Sequence, residues 1–328
     1  MILVPDNGLV LQFNDELLKQ YGVKQKVCLF YDKFNTLDED AEIVIANRPL
    51  FLSRFDQYKK IWKNGFDCLI VDEAHSIKRT NKVSKCIEKV NTEYRFGFTG
   101  TLAENEEDKY KNLGILGPVR FEKTSKELRD AGFLSNVTVN ALSLVGYEDT
   151  KHVSMKYLEE VEYLQSNRDR NNFISKLLFT LDKNSLILVN YLAHGFELER
   201  ILKENNKDGK KKIYFIRGEI DTDIREDIKK LMEKEDNIIC IAITKIFSTG
   251  INIKNLHNII LAAGGKSSVT VVQSIGRGLR LHPNKKMLNI FDIHDSGLKF
   301  SEAHARARIN IYNKEKIKTV KYRVKISG

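Results

Sequence analysis

Two adjacent carboxylates, Asp72 and Glu73, follow a short apolar run of the chain. Residues 66–71 end in Leu-Ile-Val, and such a run predicts a buried strand of a parallel sheet. Open parallel sheets bind ligands at the carboxyl ends of their strands, where this pair would emerge. One carboxylate can hold Mg²⁺ through water, and the other can orient a water that attacks a γ-phosphate. The pair therefore indicates phosphate hydrolysis.

A second group of polar residues lies in the other half of the chain. Gln273, Arg277 and Arg280 are spaced i, i+4 and i+7, so they share one face if this segment is helical. Two guanidinium groups on one face suit the charge that develops on a transferring phosphoryl group. A solvated basic helix is the alternative for this segment taken alone. Combined with the acidic strand end, the spacing favours arginine fingers.

Seven short segments occur in a characteristic order. The two most distinctive are Asp72-Glu73-Ala74-His75 and residues 273–280, and the others are residues 2–12, 43–47, 97–101, 186–190 and 244–253. In chain order they resemble motifs Ia, Ib, II, III, IV, V and VI of superfamily 2 helicases, in the branch of phage UvsW-type helicases and type III restriction motors. The ordered set covers nearly the whole chain and is more specific than any single motif.

The resemblance implies a site for ATP and Mg²⁺. Asp72 would hold the metal through water, Glu73 would position the attacking water, and Arg277 and Arg280 would be arginine fingers that reach the nucleotide from the other lobe. It assigns nucleotide binding to His75, Gly250, Asn252 and Gln273. It assigns coupling between nucleotide state and lobe movement to Thr99, Gly100 and Thr101, and contact with nucleic acid to Asn7, Asn47 and Thr244.

Some of these residues have a plainer explanation. His75 alone would be an ordinary packed histidine, and Thr99 and Thr101 would be turn hydroxyls. The hydroxyl of Thr244 can cap the backbone instead of meeting a phosphate. Asn252 replaces an acid of some relatives, which weakens the expected ribose contact.

One motif of this family, the phosphate loop G-x-x-x-x-G-K-[ST], has no counterpart in the 328 residues. In the family it precedes motif Ia, which here begins at residue 2. That loop supplies backbone N–H groups, a lysine for the phosphates and a hydroxyl for Mg²⁺. A single arginine finger is already worth about 10³–10⁵ in rate, so losing the loop is severe. We therefore expect a truncated or split form that hydrolyses ATP poorly unless a phosphate-loop segment, for instance on a separate polypeptide, is supplied.

The charge of the chain favours a polyanionic partner. The formal net charge is +10, and residues 299–328 hold nine Lys or Arg and two Glu, so they contribute +7 of it. Residues 319–326 alternate apolar and basic side chains, which predicts a half-buried strand with Lys321, Arg323 and Lys325 outward. These cations either contact phosphates of nucleic acid or only protect a sheet edge from aggregation.

Other features bear on the location of the protein. No apolar stretch approaches membrane-spanning length, so no membrane association is expected. The four cysteines are scattered without C-x-x-C pairs, which argues against a disulfide framework and against a zinc site. We expect a protein of the reducing cytosol, in a bacterium or a phage-infected host.

Apolar segments alternate with helical ones, which predicts an α/β fold of two RecA-like parallel-sheet lobes, the first truncated at its N-terminus. The strand candidates are residues 1–4, 27–30, 42–46, 68–71 and 94–98, then 186–189, 213–216, 238–243, 259–262 and 288–291. Helices are predicted at 14–21 and 301–316, and the charged segment 123–181 is predicted to be mostly helical. The expected domains are residues 1–135, 136–298 and a basic C-terminal piece, 299–328.

Together these features predict an ATP-dependent DNA helicase or translocase. DNA is preferred over RNA only through the resemblance, and single-stranded or branched DNA would be gripped mainly through its phosphates. A non-hydrolysing nucleic-acid clamp and the motor subunit of a restriction system are the alternatives.

Overall fold

The computed structural model describes the chain apart from residues 16–17, 19, 35, 37, 62–64, 101, 103–104, 148–154, 218–221, 245–252, 264–275, 277–278, 280 and 327–328. Within it the chain forms two compact units, Met1–Glu122 and Lys123–Gly328. Both are α/β units built on a parallel sheet, as the alternating pattern predicts.

Among its described residues, the first unit contains five parallel strands, in the spatial order β2-β3-β1-β4-β5. The strands are β1 (Ile2–Val4), β2 (Val27–Phe30), β3 (Ile43–Asn47), β4 (Phe66–Asp72) and β5 (Thr92–Phe98). The helices are α1 (Asn7–Asp15), α2 (Arg48–Ser53), α3 (Phe55–Ile61), α4 (Lys82–Lys89) and α5 (Glu106–Leu116). All five strands predicted from the apolar segments are confirmed, with ends that differ by at most two residues.

The described part of the second unit contains seven parallel strands, in the order β12-β6-β11-β10-β7-β9-β8. They are β6 (Asn136–Val145), β7 (Ser185–Val189), β8 (Lys212–Ile216), β9 (Ile238–Ile243), β10 (Asn258–Leu261), β11 (Met287–Asp295) and β12 (Lys318–Lys325). The helices are α6 (Ser125–Asp130), α7 (Tyr157–Ser166), α8 (Arg168–Thr180), α9 (Leu192–Asn205), α10 (Thr222–Lys234) and α11 (Lys299–Lys314).

Two predicted elements are corrected by the structure. The helix predicted at residues 14–21 begins earlier, at Asn7, because the carboxylate of Asp6 accepts a hydrogen bond from the amide of Leu9 (2.9 Å) and satisfies a free donor at the start of α1. The segment 123–181, predicted to be mostly helical, contains α6, α7 and α8 but also the ten-residue strand β6. That strand lies between β12 and β11, where tertiary pairing outweighs the surrounding helical pattern.

The division between the units falls at Glu122, before the boundary expected near Ser135. Residues 123–135 belong with the second unit because α6 is attached to the end of α11. Ser125 donates to the carboxylate of Glu315 (2.9 Å), and Arg129 donates to the carbonyls of Glu315 (3.1 Å) and Lys316 (3.3 Å).

Candidate functional site

The two carboxylates lie at the carboxyl end of β4, which is an inner strand of the first sheet. Asp72 is the last residue of the strand, and Glu73 has a left-handed backbone (φ 50°, ψ 53°) before a 3₁₀ turn at Ala74–Ser76. Few residues other than glycine adopt this conformation, and such strain is typical of functional sites. The reversal at Glu73 takes the chain out of the sheet and leaves both carboxylates at its edge.

A buried cation that the sequence did not single out lies beside this pair. Arg48, the first residue of α2, is 8% exposed, and its Nη1 donates to the carbonyl oxygen of Asp72 (3.0 Å). Burial lowers the pKa of Arg48, and the charges of Asp72 and Glu73 oppose this. In the sequence, Arg48 stands out only as a basic residue directly after the buried strand 43–47. No short-range pattern of the sequence connects it with Asp72.

The pKa of Asp72 is raised, mainly by burial and further by the charge of Glu73, while the charge of Arg48 opposes the shift. A bound divalent cation would oppose this rise in the pKa of Asp72, because it stabilises the ionised carboxylate. Mg²⁺ usually keeps several waters and takes only one or two protein carboxylates in phosphate-binding sites. The single carboxylate of Asp72 therefore fits the metal that the family resemblance implies.

His75 connects the acidic pair with the end of β5. Its Nδ1 lies 3.0 Å from Oε2 of Glu73 and 3.0 Å from Oγ1 of Thr99. One ring nitrogen thus touches both the carboxylate that would position water and the hydroxyl of the predicted coupling segment. Gly97 permits the close packing behind this contact, since a Cβ there would lie 3.0 Å from Cβ of Ala74. By contrast, a Cβ at Gly100 would meet nothing within 4 Å, and Thr101 lies outside the described residues.

The turn after the acidic pair is held by side-chain hydrogen bonds. The hydroxyl of Ser76 donates to the carbonyl of Glu73 (2.7 Å), and the amide of Asn81 donates to the carbonyl of Ser76 (2.7 Å). From α5, the amide of Asn112 donates to the carbonyl of Ile77 (2.9 Å). These bonds fix the backbone that carries Glu73 and His75, so the two side chains start from a rigid base.

Two of the residues assigned to nucleic acid are brought together at the same sheet edge. The side-chain amide of Asn47 donates to the side-chain oxygen of Asn7 (2.7 Å), although the two are forty residues apart in the chain. The oxygen of Asn47 also accepts from the amide of Leu50 (2.9 Å) and caps α2. Asn47 therefore has a structural function in addition to any contact with a phosphate.

In the second unit, Thr244 follows β9, and its hydroxyl donates to the carbonyl of Val189 at the end of β7 (3.0 Å). The hydroxyl thus makes the backbone contact that the sequence analysis gave as the alternative to binding a phosphate of nucleic acid. The other predicted residues of this unit that would meet nucleotide, namely Gly250, Asn252, Gln273, Arg277 and Arg280, lie outside the described residues.

The basic C-terminal strand is confirmed as an edge strand. β12 pairs in parallel with β6 and ends the seven-stranded sheet. The side chains of Lys321, Arg323 and Lys325 are exposed, while Val320 and Val324 are half-buried. The strand thus presents three cations on one face.

The described part of the chain lacks both a membrane-spanning helix and a cluster of metal-ligating side chains. Its helices include none that is both long and apolar enough to cross a membrane. Its His, Cys, Asp and Glu side chains form no cluster of three or more suited to a metal ion.

Comparison with known proteins gives consistent matches in both units. Residues 1–104 match the family model of the type III restriction enzyme, res subunit, and residues 169–282 match that of the helicase conserved C-terminal domain. The ATP-dependent DNA helicase uvsW of Enterobacteria phage T4 is 29% identical over 320 residues, which are 94% of this chain and 62% of the relative. The putative ATP-dependent helicase IRC3 of Saccharomyces cerevisiae is 26% identical over 330 residues, 89% of this chain and 42% of the relative. The chain thus spans roughly half the length of these relatives.

Solved structures show the same fold. The crystal structure of T4 UvsW has a TM-score of 0.50 and 23% identity, covering 99% of this chain and 68% of that one. A fragment of a putative HsdR subunit of a type I restriction enzyme from Vibrio vulnificus has a TM-score of 0.67 and 17% identity, covering 99% and 64%. The motif order, the two family matches and the similarity to uvsW all agree. The chain therefore belongs to the superfamily 2 helicases, in the branch of the UvsW-type helicases and type III restriction motors.

Proposed function

We propose that this chain is the motor core of an ATP-dependent DNA helicase or translocase, with Asp72 and Glu73 supporting the hydrolysis of ATP. The observation that carries the proposal is the Glu73–His75–Thr99 contact at the carboxyl end of β4. It joins the carboxylate suited to positioning water with the hydroxyl of the next strand end. A structural acidic pair would not need that connection.

Each side chain has a distinct function in this proposal. Asp72 binds Mg²⁺ through water, and Mg²⁺ when bound neutralises charge on the phosphates. Glu73 accepts a hydrogen bond from the attacking water and orients it. His75 holds Glu73 in place and also contacts Thr99. A shift of Glu73 that accompanies a change of nucleotide state therefore moves the end of β5. Arg277 and Arg280 are proposed as the arginine fingers, with His75, Gly250, Asn252 and Gln273 as further nucleotide contacts.

The proposed nucleic-acid contacts are mostly to phosphates. Asn7 and Asn47 lie together at one sheet edge, and Lys321, Arg323 and Lys325 form the basic face of β12. Contacts of this kind give affinity without sequence preference and weaken with salt. DNA is the proposed substrate because the uvsW relative carries the name of a DNA helicase.

The hydrolytic reaction is proposed to need a phosphate-loop segment. None of the 328 residues forms that motif, and the lysine and amide donors that it provides are not replaced by Asp72 or Glu73, which are anions. We therefore expect slow hydrolysis by the polypeptide of these residues alone and faster hydrolysis when such a segment is supplied.

The test is ATP hydrolysis by the purified polypeptide with Mg²⁺, with and without single-stranded DNA. The expected rate is low and stimulated by DNA, and Glu73→Gln abolishes it because an amide cannot orient water as a carboxylate does. Glu93→Gln, an exposed carboxylate on β5, is the matched control and should behave like the parent. Rates typical of a helicase would refute the need for the loop, and equal rates for the two variants would refute the assignment of Glu73.

A second candidate is a nucleic-acid clamp that does not hydrolyse ATP. It is favoured by the exposed cations of β12. This candidate predicts salt-sensitive DNA binding with the same affinity in the presence and absence of ATP. A restriction motor is the third candidate, favoured by the match of residues 1–104, and it would require a nuclease or methyltransferase partner.

A further inference from the structure

A groove lies over one face of the first sheet, between α4 and the junction of α2 with α3. Its floor is formed by Leu52, Phe55 and Cys86, which are buried in the same core as Ile87 of α4. The groove has a volume of about 400 Å³, within the range of about 300–1,000 Å³ that is usual for ligand pockets. Because the helices on both sides share one core, the walls of the groove are held in place.

The walls of this groove are basic. Lys82, Lys85 and Lys89 of α4 line one side, and Arg54, which follows α2, lines the other. The three lysines are exposed, and their spacing of i, i+3 and i+7 places them in one stripe along α4. Asp56 is the one carboxylate among the described residues that line the groove, so four cations leave an excess of three positive charges.

The lysines of the stripe are not neutralised by neighbouring acids. Glu88, the one carboxylate of α4, is bound to Lys111 of α5 (2.5 Å). Within the part of the chain that the structure describes, no carboxylate forms an ion pair with any of the three lysines. Lys85 and Lys89 are spaced i, i+4, and like charges at this spacing destabilise a helix. An anion in the groove would relieve the repulsion.

The charge of the stripe acts on the floor of the groove. Burial raises the pKa of the Cys86 thiol, while the charges of Lys82 and Lys89 oppose this rise and the charge of Asp56 adds to it. Lys82 is the first residue of α4 and Lys89 is the last, so both ends of the stripe lie close enough to the floor to influence it. The positive field therefore extends along the whole groove.

The groove is separate from the sheet edge that holds Asp72 and Glu73. α2 begins at that edge, directly after β3, and Arg54 is six residues further on, about 9 Å along the helix. α4 also runs from that edge back over the face of the sheet, to a last residue just before β5 begins. The four cations of the groove belong to none of the seven motif segments. A ligand in the groove would therefore leave the acidic pair free for nucleotide.

We propose that this groove binds the phosphodiester backbone of a DNA strand that runs along α4. Lys82 and Lys89 are about 10 Å apart along the helix axis, since each residue rises about 1.5 Å. A DNA strand carries one charge for about every 3.4 Å of duplex length, so three lysines in this distance match its charge density. A single phosphate ion would reach only part of the stripe, and a polyanion with regularly spaced charges fits it better.

The proposed groove site adds a second nucleic-acid contact to the first unit. Asn7 and Asn47 lie at the sheet edge, whereas the groove lies over the sheet face, so one unit can hold two segments of a branched DNA. Binding in the groove needs no nucleotide and no hydrolysis. Only the choice of DNA as the ligand rests on the proposed function.

The experiment measures the binding of single-stranded DNA to the 328-residue protein over a series of salt concentrations. The groove variant combines Lys82→Gln, Lys85→Gln and Lys89→Gln. Its salt slope, the change of log K with log salt concentration, should be smaller by about 2, because each phosphate contact to a single strand contributes about 0.7. Replacement of the same three lysines by Arg should keep the slope of the parent, since Arg retains the charge.

The matched control combines Lys24→Gln, Lys33→Gln and Lys109→Gln, which replace exposed lysines of the first unit outside the groove. It changes the net charge by the same amount, and its salt slope should differ from that of the parent by less than one contact, about 0.7. Thermal unfolding checks that all variants are folded. An unchanged slope in the groove variant, or an equal change in the control, would overturn the proposal.

A second measurement locates the ligand. DNA should slow the acetylation of Lys82, Lys85 and Lys89 in the parent protein and leave that of Lys24 and Lys33 unchanged. If polyglutamate protected the three groove lysines and DNA did not, the groove would be a site for an acidic peptide, and the proposal would be overturned.

Hydrolysis of ATP separates this inference from the proposed function. A smaller salt slope in the groove variant, together with equal hydrolysis by the parent and Glu73→Gln, would support the groove and overturn the hydrolase. An unchanged slope in the groove variant, together with hydrolysis that Glu73→Gln abolishes, would support the hydrolase and overturn the groove. A parent protein that binds no DNA would overturn both.

Discussion

The sheets of the two units end in different ways. In the second unit the edge strand β12 exposes Lys321, Arg323 and Lys325, whereas in the first unit the edge strand β5 exposes three aromatic side chains, Tyr94, Phe96 and Phe98. Charged side chains on an edge strand discourage further strand pairing, and apolar ones invite it. The difference indicates that the described edge at β12 is protected against further strand pairing, whereas the described edge at β5 is not.

The interiors of the units also differ. In the second unit, Arg170 of α8 binds Asp295 with Nε (2.7 Å) and Nη2 (3.1 Å), and Arg308 of α11 binds Asp292 with Nε (2.9 Å). Burial would raise the pKa of both aspartates, but the paired guanidinium groups outweigh it and lower the pKa values. The ion pairs join two helices to β11. In the described part of the first unit, the buried guanidinium of Arg48 is instead bonded to a carbonyl, next to the proposed reaction site.

The largest expected effect concerns these ion pairs. Arg170→Met should destabilise the second unit by about 3–5 kcal/mol, because it leaves the buried charge of Asp295 without its cation. Urea unfolding with hydrogen exchange resolved by unit measures this. Arg200→Met, which breaks an exposed ion pair with Glu197 and Glu204, is the control and should change stability little. If Arg170→Met destabilised both units equally, the two units would unfold together rather than separately.

The same ion pairs predict a pH dependence. Since the pKa values of Asp292 and Asp295 are lower in the folded protein, their stabilising contribution is present above the ordinary aspartate pKa and is lost as pH falls through the folded values. Acid titration followed by hydrogen exchange should therefore show the second unit losing protection. If residues 136–145 and 287–295 kept full protection while the rest of the molecule unfolded, this explanation would be wrong.

A smaller effect is expected at the contact between β5 and the turn after Glu73. Gly97→Ala places a Cβ 2.5 Å from Leu116 and 3.0 Å from Ala74, so the turn or α5 must move, at a cost of about 1–3 kcal/mol. Gly114→Ala, on α5 with nothing within 4 Å of the new Cβ, is the matched control and should be neutral or stabilising. Thermal unfolding measures both, and a Gly97 variant as stable as the parent would show that the packing is loose.

The proposed metal site predicts the direction in which the pKa of Asp72 changes when Arg48 is replaced. Burial and Glu73 raise the pKa of Asp72, whereas the charge of Arg48 opposes this rise. Arg48→Met should therefore raise the pKa of Asp72 further, and Mg²⁺ binding should weaken by up to about tenfold as pH is lowered, since each pKa unit corresponds to a factor of ten. Titration of the Asp72 carboxyl by NMR with and without Mg²⁺ checks this. A lower pKa in the variant would contradict the assigned electrostatics.

The smallest effect is expected at the basic edge. Replacing Lys321, Arg323 and Lys325 by Gln should leave stability nearly unchanged and reduce the salt slope of DNA binding by about 2–3, if each contacts one phosphate. Replacement of the exposed Lys207, Lys210 and Lys212 by Gln is the control with the same change of charge. An unchanged salt slope of DNA binding would show that the cations of β12 only protect the sheet edge and do not contact DNA.

Much of the fold followed from local patterns. Ten apolar segments predicted ten of the twelve strands in the described part of the chain, because strands inside a parallel sheet are largely apolar. The alternation of residues 319–326 predicted β12, because one face of an edge strand can remain in water. The missed strand β6 alternates buried Val137, Val139 and Ala141 with polar residues, a local signal that was overlooked because the strand lies between charged helical segments. The contact of Arg48 with Asp72 also escaped prediction, since it joins the start of α2 with the end of β4, which are distant in the chain.

The sequence by itself determined the family, the acidic pair at the end of a buried strand and the order of the motifs, because each of these is a short-range property of residue type and spacing. Only the tertiary structure decided that His75 joins Glu73 to Thr99, that the hydroxyl of Thr244 is bonded to Val189, and that Tyr94, Phe96 and Phe98 lie uncovered at a sheet edge. These features depend on which strands become neighbours and which face a helix covers, and packing between residues distant in the chain sets both.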